Sequence, residues 1–100
     1  MVTTEVILVR MIEVFQNILK CKWALMILNR FQNDIRRPGE LRRSIEGLSS
    51  KVMYERLKML EENGIIEREL VVKKPMEVQY RLTKKGKKIG QIIHQIQNLD

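Results

Sequence analysis

The sequence predicts a mainly α-helical domain that carries one small β-hairpin. Apolar residues recur at intervals of three and four through most of the 100-residue chain, which is the period of an amphipathic helix. After Gly64 the pattern changes to alternation, and the alternating region ends at Leu82. Residues that typically start or stop helices lie between these segments, so the sequence also predicts where each element begins and ends.

The composition fits a single folded domain over residues 1–100. Hydrophobic residues make up 44% of the chain and charged residues 31%, as in ordinary globular proteins. No apolar run is long enough to span a membrane, and the first apolar region lacks the features of an export signal. With one cysteine no disulfide within the chain is expected, which suits the reducing cytoplasm that we predict for it.

Two helices are predicted in the first third of the chain. The first runs from Thr4 to about Leu19 behind a threonine cap, and ten of the fourteen residues 6–19 are apolar. Because so few polar residues interrupt it, this helix needs burial on two sides. The second helix spans Lys22 to Gln32, and Trp23 within it is predicted to belong to the core.

Two further helices precede the alternating region. A short third helix is predicted from Glu40 to Ile45, and it stops at Gly47, a residue that tolerates a positive φ. Ser49 is a suitable N-cap for a fourth helix that runs to about Asn63. One face of this fourth helix is apolar, and the opposite face is polar and predicted to be exposed.

The alternating region predicts two antiparallel strands, followed by a last helix. The first strand begins at Ile66, the second covers Glu77 to Leu82, and a basic turn joins them. Thr83 is expected to cap the last helix, which carries a single apolar stripe. The stripe consists of Ile89, Ile92, Ile93, Ile96 and Leu99.

Basic residues are concentrated in two blocks of the chain. The formal net charge is +7, and seven basic residues lie between Lys20 and Arg43, with seven more between Lys73 and Lys88. A fold that brings both blocks to one side would present a positive surface to a phosphate backbone. The alternative is that these charges are scattered over a solvated surface.

Three helices followed by a two-stranded wing are the elements of a winged helix-turn-helix. The helical core is residues 22–63, and the wing is residues 65–82. In this arrangement the last of the three helices enters the major groove of DNA. Here that helix is the fourth of the chain, residues 50–63. The alternative function is a winged-helix module that binds another protein and has no specific DNA site.

The order of short motifs resembles that of the HxlR-type winged-helix regulators, which are related to MarR-like repressors. The matching residues are Lys22-Trp23, Gly39-Glu40-Leu41-Arg42-Arg43, Gly47-Leu48-Ser49, Tyr80-Arg81-Leu82-Thr83 and Gly86. The resemblance implies a cytoplasmic homodimer that binds duplex DNA and regulates transcription, with residues 1–20 and 84–100 as dimerisation helices. Many members carry a redox-sensing cysteine where this chain has Arg10 or Met11, so thiol sensing at that position is not expected.

Candidate DNA contacts come from three elements. They are Ser49, Ser50, Lys51, Tyr54, Glu55, Arg56 and Lys58 on the fourth helix, Arg42 and Arg43 on the third, and Lys73 and Lys74 at the wing tip. A merely solvated helix face is the alternative. Glu55 can pair with Lys51 instead of a base. Arg56 can reach either a backbone phosphate or a structural carboxylate such as Glu40, and the structural role is slightly favoured.

Candidate dimer contacts are Ile7, Met11 and Phe15 in the first helix, with Ile89, Ile92, Ile93, Ile96 and Leu99 in the last. Whether a small-molecule effector binds between these helices stays open. The chain has one histidine and one cysteine, and no cofactor, metal site or enzyme activity is predicted. His94 is expected on the surface and Cys21 partly buried at a helix junction.

Overall fold

The computed structural model describes residues 3–72 and 76–99, with all of their side chains except those of residues 15 and 17–20. Within these residues, five helices and one antiparallel hairpin follow the predicted order. They are α1 (Thr4–Lys20), α2 (Lys22–Gln32), α3 (Pro38–Ser44), α4 (Ser50–Glu62), β1 (Ile66–Val71), β2 (Glu77–Leu82) and α5 (Lys84–Gln97). The predicted fold class, mainly α with one small hairpin, is confirmed.

Hydroxyl caps fix where α4 and α5 begin. Ser49 Oγ accepts a hydrogen bond from the Val52 amide at 3.2 Å, and Thr83 Oγ1 accepts one from the Gly86 amide at 3.0 Å. Each cap satisfies a backbone donor that has no partner inside its helix. Both starts agree with the prediction.

The third helix begins two residues before the predicted Glu40 and ends at Ser44. Pro38 occupies its first turn, where the missing backbone N–H removes no helical hydrogen bond. Ile45 already has an extended backbone, and its side chain is buried in the core. Gly47 has a φ of +81° and turns the chain toward α4.

The core lies where α2, α3, α4, α5 and the base of the hairpin meet. Its largest fully buried side chains are Ile27, Leu28, Leu41, Ile45, Met53, Leu57, Leu60, Ile65 and Ile66. Phe31 and Tyr80 connect α2 to β2 with their ring centroids 6.3 Å apart. Burial raises the pKa of the Tyr80 phenol, and nearby Glu61 adds to the rise. Trp23 is partly buried and packs on this core, as predicted.

The wing extends beyond the core. Its register pairs Ile66 with Leu82 at the base and Val71 with Glu77 at the outer end. Ile66 is buried, whereas Leu70 is 56% exposed although it lies on the same face of β1. The alternating sequence therefore identifies the strand, but only the residues at its base pack against the hydrophobic core.

The apolar stripe of α5 splits into two rows. Ile89 and Ile93 are buried in the core of their own chain, whereas Ile92, Ile96 and Leu99 are exposed. The prediction that all five face a second subunit is corrected for Ile89 and Ile93, because a helix at the edge of the core divides its apolar surface between two directions. The outer row of Ile92, Ile96 and Leu99 stays a candidate interface.

Helix α1 leaves most of its apolar residues in contact with solvent. Val6, Ile7, Leu8, Val9, Met11 and Ile12 are each between 47% and 56% exposed. Val14 packs against the core, so α1 is anchored near its C-terminal half. In the residues that the structure describes, no helix is long and apolar enough to cross a membrane. The two-sided burial predicted for α1 is thus not supplied by this single chain.

Candidate nucleic-acid interface

Among the exposed side chains on the outward face of α4 is a group that we call the recognition face. It consists of Lys51, Tyr54, Glu55 and Lys58. The opposite side of α4 is held in the core by Met53, Leu57 and Leu60. Tyr54 is 51% exposed, which leaves a large ring and a phenol oxygen free for a ligand. The packed side fixes the helix while the recognition face stays accessible.

The start of α4 adds hydrogen-bond donors to this face. Ser49 and Ser50 are both exposed, and Ser49 engages only the Val52 amide of the first turn. The other first-turn amides have no acceptor within the helix. Such a helix terminus favours an anionic group such as phosphate.

Two basic residues lie in the last turn of α3, just before the Ser49 cap. Arg42 and Arg43 are exposed. The end of α3 is tied to α2 because Arg30 Nη2 donates to the Ser44 carbonyl oxygen at 3.1 Å. This bond fixes the end of the short helix that carries both arginines against α2.

Ion pairing on α4 differs from the alternative considered for Glu55. In the described part of the chain, no pair joins Glu55 to Lys51, and both side chains are exposed. Lys58 Nζ lies 4.0 Å from Glu62 Oε1, with both side chains largely in solvent. A pair this exposed contributes little stability and leaves the lysine available to another anion.

Arg56 does not have the partner that was predicted for it. Glu40 pairs with Arg37 instead, with 3.5 Å between Oε1 and Nη1. The Nε atom of Arg56 is buried and has no hydrogen-bond partner within the described residues. The expectation of an Arg56–Glu40 pair is therefore wrong for the described residues, because Glu40 is engaged by Arg37, the N-cap residue of its own helix.

The structure describes both strands of the wing but not residues 73–75 between them. Lys73 and Lys74 lie outside the described residues, and so does the side chain of Phe15 in α1. Within the wing, Arg81 Nε lies 2.7 Å from Glu67 Oε1 on the opposite strand. That arginine therefore serves the hairpin itself.

The sequence did not predict one contact that joins the wing to the helices. Arg37 Nε lies 2.6 Å from Glu77 Oε1, between the residue before α3 and the first residue of β2. The sequence predicts only that Glu77 belongs to a strand and that Arg37 belongs to a basic block. No spacing rule connects two residues this far apart, so the pairing becomes visible only in the fold.

A groove of about 620 Å³ lies between α1, the end of α4 and α5. Its apolar lining includes Met11, Val14 and Ile92, and its cations include Arg10 and Lys88. Because Met11 and Ile92 are candidate dimer residues, the groove adjoins the predicted interface. This is the region in which the sequence left an effector site open.

The isolated candidate groups occupy structural positions. Cys21 is partly buried, and its Sγ accepts a hydrogen bond from the Ala24 amide at 3.4 Å, which confirms the predicted junction thiol. His94 is exposed beside Asn98. Among the side chains that the structure describes, no three His, Cys, Asp or Glu residues form a group that could hold a metal ion.

Comparisons with known proteins agree on one family. Residues 18–100 match the family model described as HxlR-like helix-turn-helix. The chain is 34% identical over 80 residues to the uncharacterized HTH-type transcriptional regulator YvaP of Bacillus subtilis, a match that covers 80% of this chain and 74% of that protein.

Solved structures show the same winged-helix fold. The reduced form of the transcriptional regulator YodB from B. subtilis has a TM-score of 0.77 and 30% identity, covering 97% of this chain and 89% of that chain. A protein from Enterococcus faecalis assigned to the MarR family of transcriptional regulators has a TM-score of 0.78 and 26% identity, covering 87% and 79%. These relatives are transcriptional regulators and not enzymes. The chain belongs to the HxlR family of helix-turn-helix transcriptional regulators.

Proposed function

We propose that this protein binds a specific duplex DNA sequence as a homodimer and regulates transcription through that site. The observation that carries the proposal is the recognition face of α4, which presents two lysines and a tyrosine to solvent while its opposite face forms the core. The major groove of DNA admits one α-helix, and a helix that enters it must display hydrogen-bonding side chains in this way.

The recognition face offers different chemistry to bases and to phosphates. Lys51 and Lys58 can donate to the guanine O6 and N7 acceptors, and Glu55 can accept from a cytosine amine. Ser49 and Ser50 lie at the helix start, where phosphate contacts are favoured. We assign Arg42 and Arg43 to phosphate contacts, and from the sequence we assign Lys73 and Lys74 to phosphates as well.

A second copy of the chain is the proposed cover for the exposed apolar residues. Ile7 and Met11 of α1 and the outer row of α5 are exposed in the single chain. Apolar surface of this extent marks an interaction site. A two-fold dimer would place two copies of α4 about 34 Å apart, one helical turn of DNA, and so favours a near-palindromic site. Relatives of this chain include bacterial regulators, and bacterial DNA lies in the cytoplasm, so the proposal places the protein there.

The experiment starts by selecting bound duplexes from a random pool with the unaltered protein. The Kd of the selected duplex is then measured for the double variant Lys51→Glu and Lys58→Glu. We expect binding to be abolished, because both side chains lie on the recognition face and neither packs in the core. Circular dichroism and light scattering should show an unchanged fold and dimer.

Lys84→Glu with Lys87→Glu is the matched control, since it changes the charge by the same amount at exposed positions of α5. These lysines follow the base of the wing, at its opposite end from the tip. We expect the control to keep most of its affinity. If the α4 variant binds as well as the control, the assignment of the recognition face is wrong. If no sequence is enriched from the pool, the protein-interaction alternative is favoured.

A further inference from the structure

Arg37, the residue before α3, connects the helices to the outer end of β2. Its guanidinium reaches Glu77 Oε1 at 2.6 Å through Nε and Glu40 Oε1 at 3.5 Å through Nη1. The Glu77 side chain is only 22% exposed, whereas Arg37 and Glu40 are each 45% exposed. The shorter of the two contacts therefore involves the more protected carboxylate, where solvent and salt screen the charges less.

A second contact holds the same strand from the neighbouring residue. The backbone amide of Tyr80 donates to the Arg36 carbonyl oxygen at 2.8 Å. Glu77 and Tyr80 are three residues apart on β2, which corresponds to about 10 Å of strand. A strand held at one point can pivot about it, but a strand held at two points has a fixed direction.

The junction between α3 and the wing is open to solvent on one side. A cleft of about 430 Å³ lies there, lined by Pro38, Gly39, Met76 and Val78 together with the ion-paired residues. On the neighbouring strand Leu70, which pairs with Val78, is exposed. Val78 packs against the core, and the polar contacts to Arg36 and Arg37 add to that packing in setting the direction of the outer wing.

We propose that Arg37 is a positioning residue that sets the angle of the wing through its bridge to Glu77. This inference rests on the proposed function, because the angle decides whether α4 and the wing can contact one duplex together. Arg37 itself is not assigned to phosphate, since two carboxylates already engage its guanidinium. Its effect on DNA binding passes through the wing.

The test uses a substitution for which simple electrostatics predicts the opposite sign. Glu77→Gln removes a negative charge from a DNA-binding protein, and charge alone would strengthen binding. If the bridge sets the wing, the same change weakens binding to the selected duplex by about fivefold, near the upper limit for a half-exposed ion pair. Glu67→Gln is the matched control, because Glu67 pairs with Arg81 inside the wing and does not reach the helices.

Two further readouts separate positioning from general damage. Ethylation interference on the selected duplex should lose the phosphates contacted by the wing in Glu77→Gln and keep those around α4. In the protein without DNA, residual dipolar couplings of the β2 amides relative to α4 should change in Glu77→Gln and stay unchanged in Glu67→Gln. The couplings report orientation directly and do not depend on a DNA site.

The inference is overturned if Glu77→Gln binds as tightly as Glu67→Gln or more tightly. A uniform loss of phosphate contacts, or unchanged couplings in Glu77→Gln, would overturn it as well. Failure of the proposed function looks different, because the unaltered protein would then select no duplex. In that case the dipolar couplings still decide whether the bridge orients the wing.

Discussion

Gly86, in the first turn of α5, packs so closely on the carbonyl oxygen of Ile65 that a Cβ atom there would overlap it. Thr83 reinforces the same junction, because its hydroxyl donates to the Gly64 and Ile65 carbonyl oxygens. The obstacle to a side chain at residue 86 is backbone, so no change of rotamer makes room. This contact fixes how α5 meets the segment between α4 and β1.

We expect Gly86→Ala to lower the free energy of unfolding by about 2 kcal/mol, because the added methyl group forces the backbone apart. Urea denaturation at a fixed protein concentration measures the change. Gly39→Ala is the control, since a Cβ at that position meets only the flexible end of Arg43. It should be neutral or slightly stabilising. Equal unfolding midpoints for the two variants would contradict the role given to Gly86.

DNA affinity is expected to fall steeply with salt. If each subunit neutralises about four or five phosphates, the affinity drops by on the order of a thousandfold or more between 50 and 200 mM salt. Fluorescence anisotropy on the selected duplex gives the slope. Arg42→Ala should reduce that slope by about 0.9 per subunit. Tyr54→Phe removes no charge and should leave the slope unchanged, and a flat titration of the unaltered protein would argue against phosphate contacts altogether.

Dimerisation is expected to depend on the outer row of α5. Ile96→Glu places a charge on a residue that is 50% exposed in the single chain, so it should disrupt an interface without disturbing the core. Light scattering after gel filtration should show monomers at micromolar concentration. Val72→Glu changes an exposed residue of the wing and should leave the dimer intact. A dimeric Ile96→Glu protein would place the interface elsewhere.

The cysteine is expected to act as a weak helix cap and nothing more. Cys21→Ser replaces sulfur with a better acceptor for the Ala24 amide, so the free energy of unfolding should stay the same or rise by up to about 1 kcal/mol. Cys21→Ala removes the acceptor and should lower it by about 0.5 to 1 kcal/mol. Thermal unfolding compares the two variants. A serine variant less stable than the alanine variant would show that the thiol contributes mainly by packing.

Local rules predicted the helices and the outward face of α4. The bounds of α2 agree with Lys22–Gln32, and the Ser49 cap marks the residue before α4, because capping and helical periodicity depend on near neighbours in the chain. The exposure of Lys51 and Tyr54 followed from the same periodicity. The resemblance to one family was confirmed by the match over residues 18–100.

Features that depend on the packing of distant elements escaped prediction. Periodicity placed Ile89 and Ile92 on one stripe, but the position of α5 at the edge of the core decides which of them is buried. The Arg37–Glu77 bridge joins elements that only the folded chain brings together. The early start of α3 at Pro38 shows the usual imprecision of helix ends, where a proline suits either a turn or a first helical residue.

The exposed middle of β1 has a consequence for how separate molecules meet. In the described sheet β1 pairs with β2 alone, so its other edge offers backbone groups that an unrelated strand can join. Glu67, Arg68 and Glu69 occupy three successive positions there, and all are exposed. A strand from another molecule that paired with this edge would have to pack beside these charged side chains, which is unfavourable. The charges therefore disfavour edge-to-edge association of hairpins into fibres.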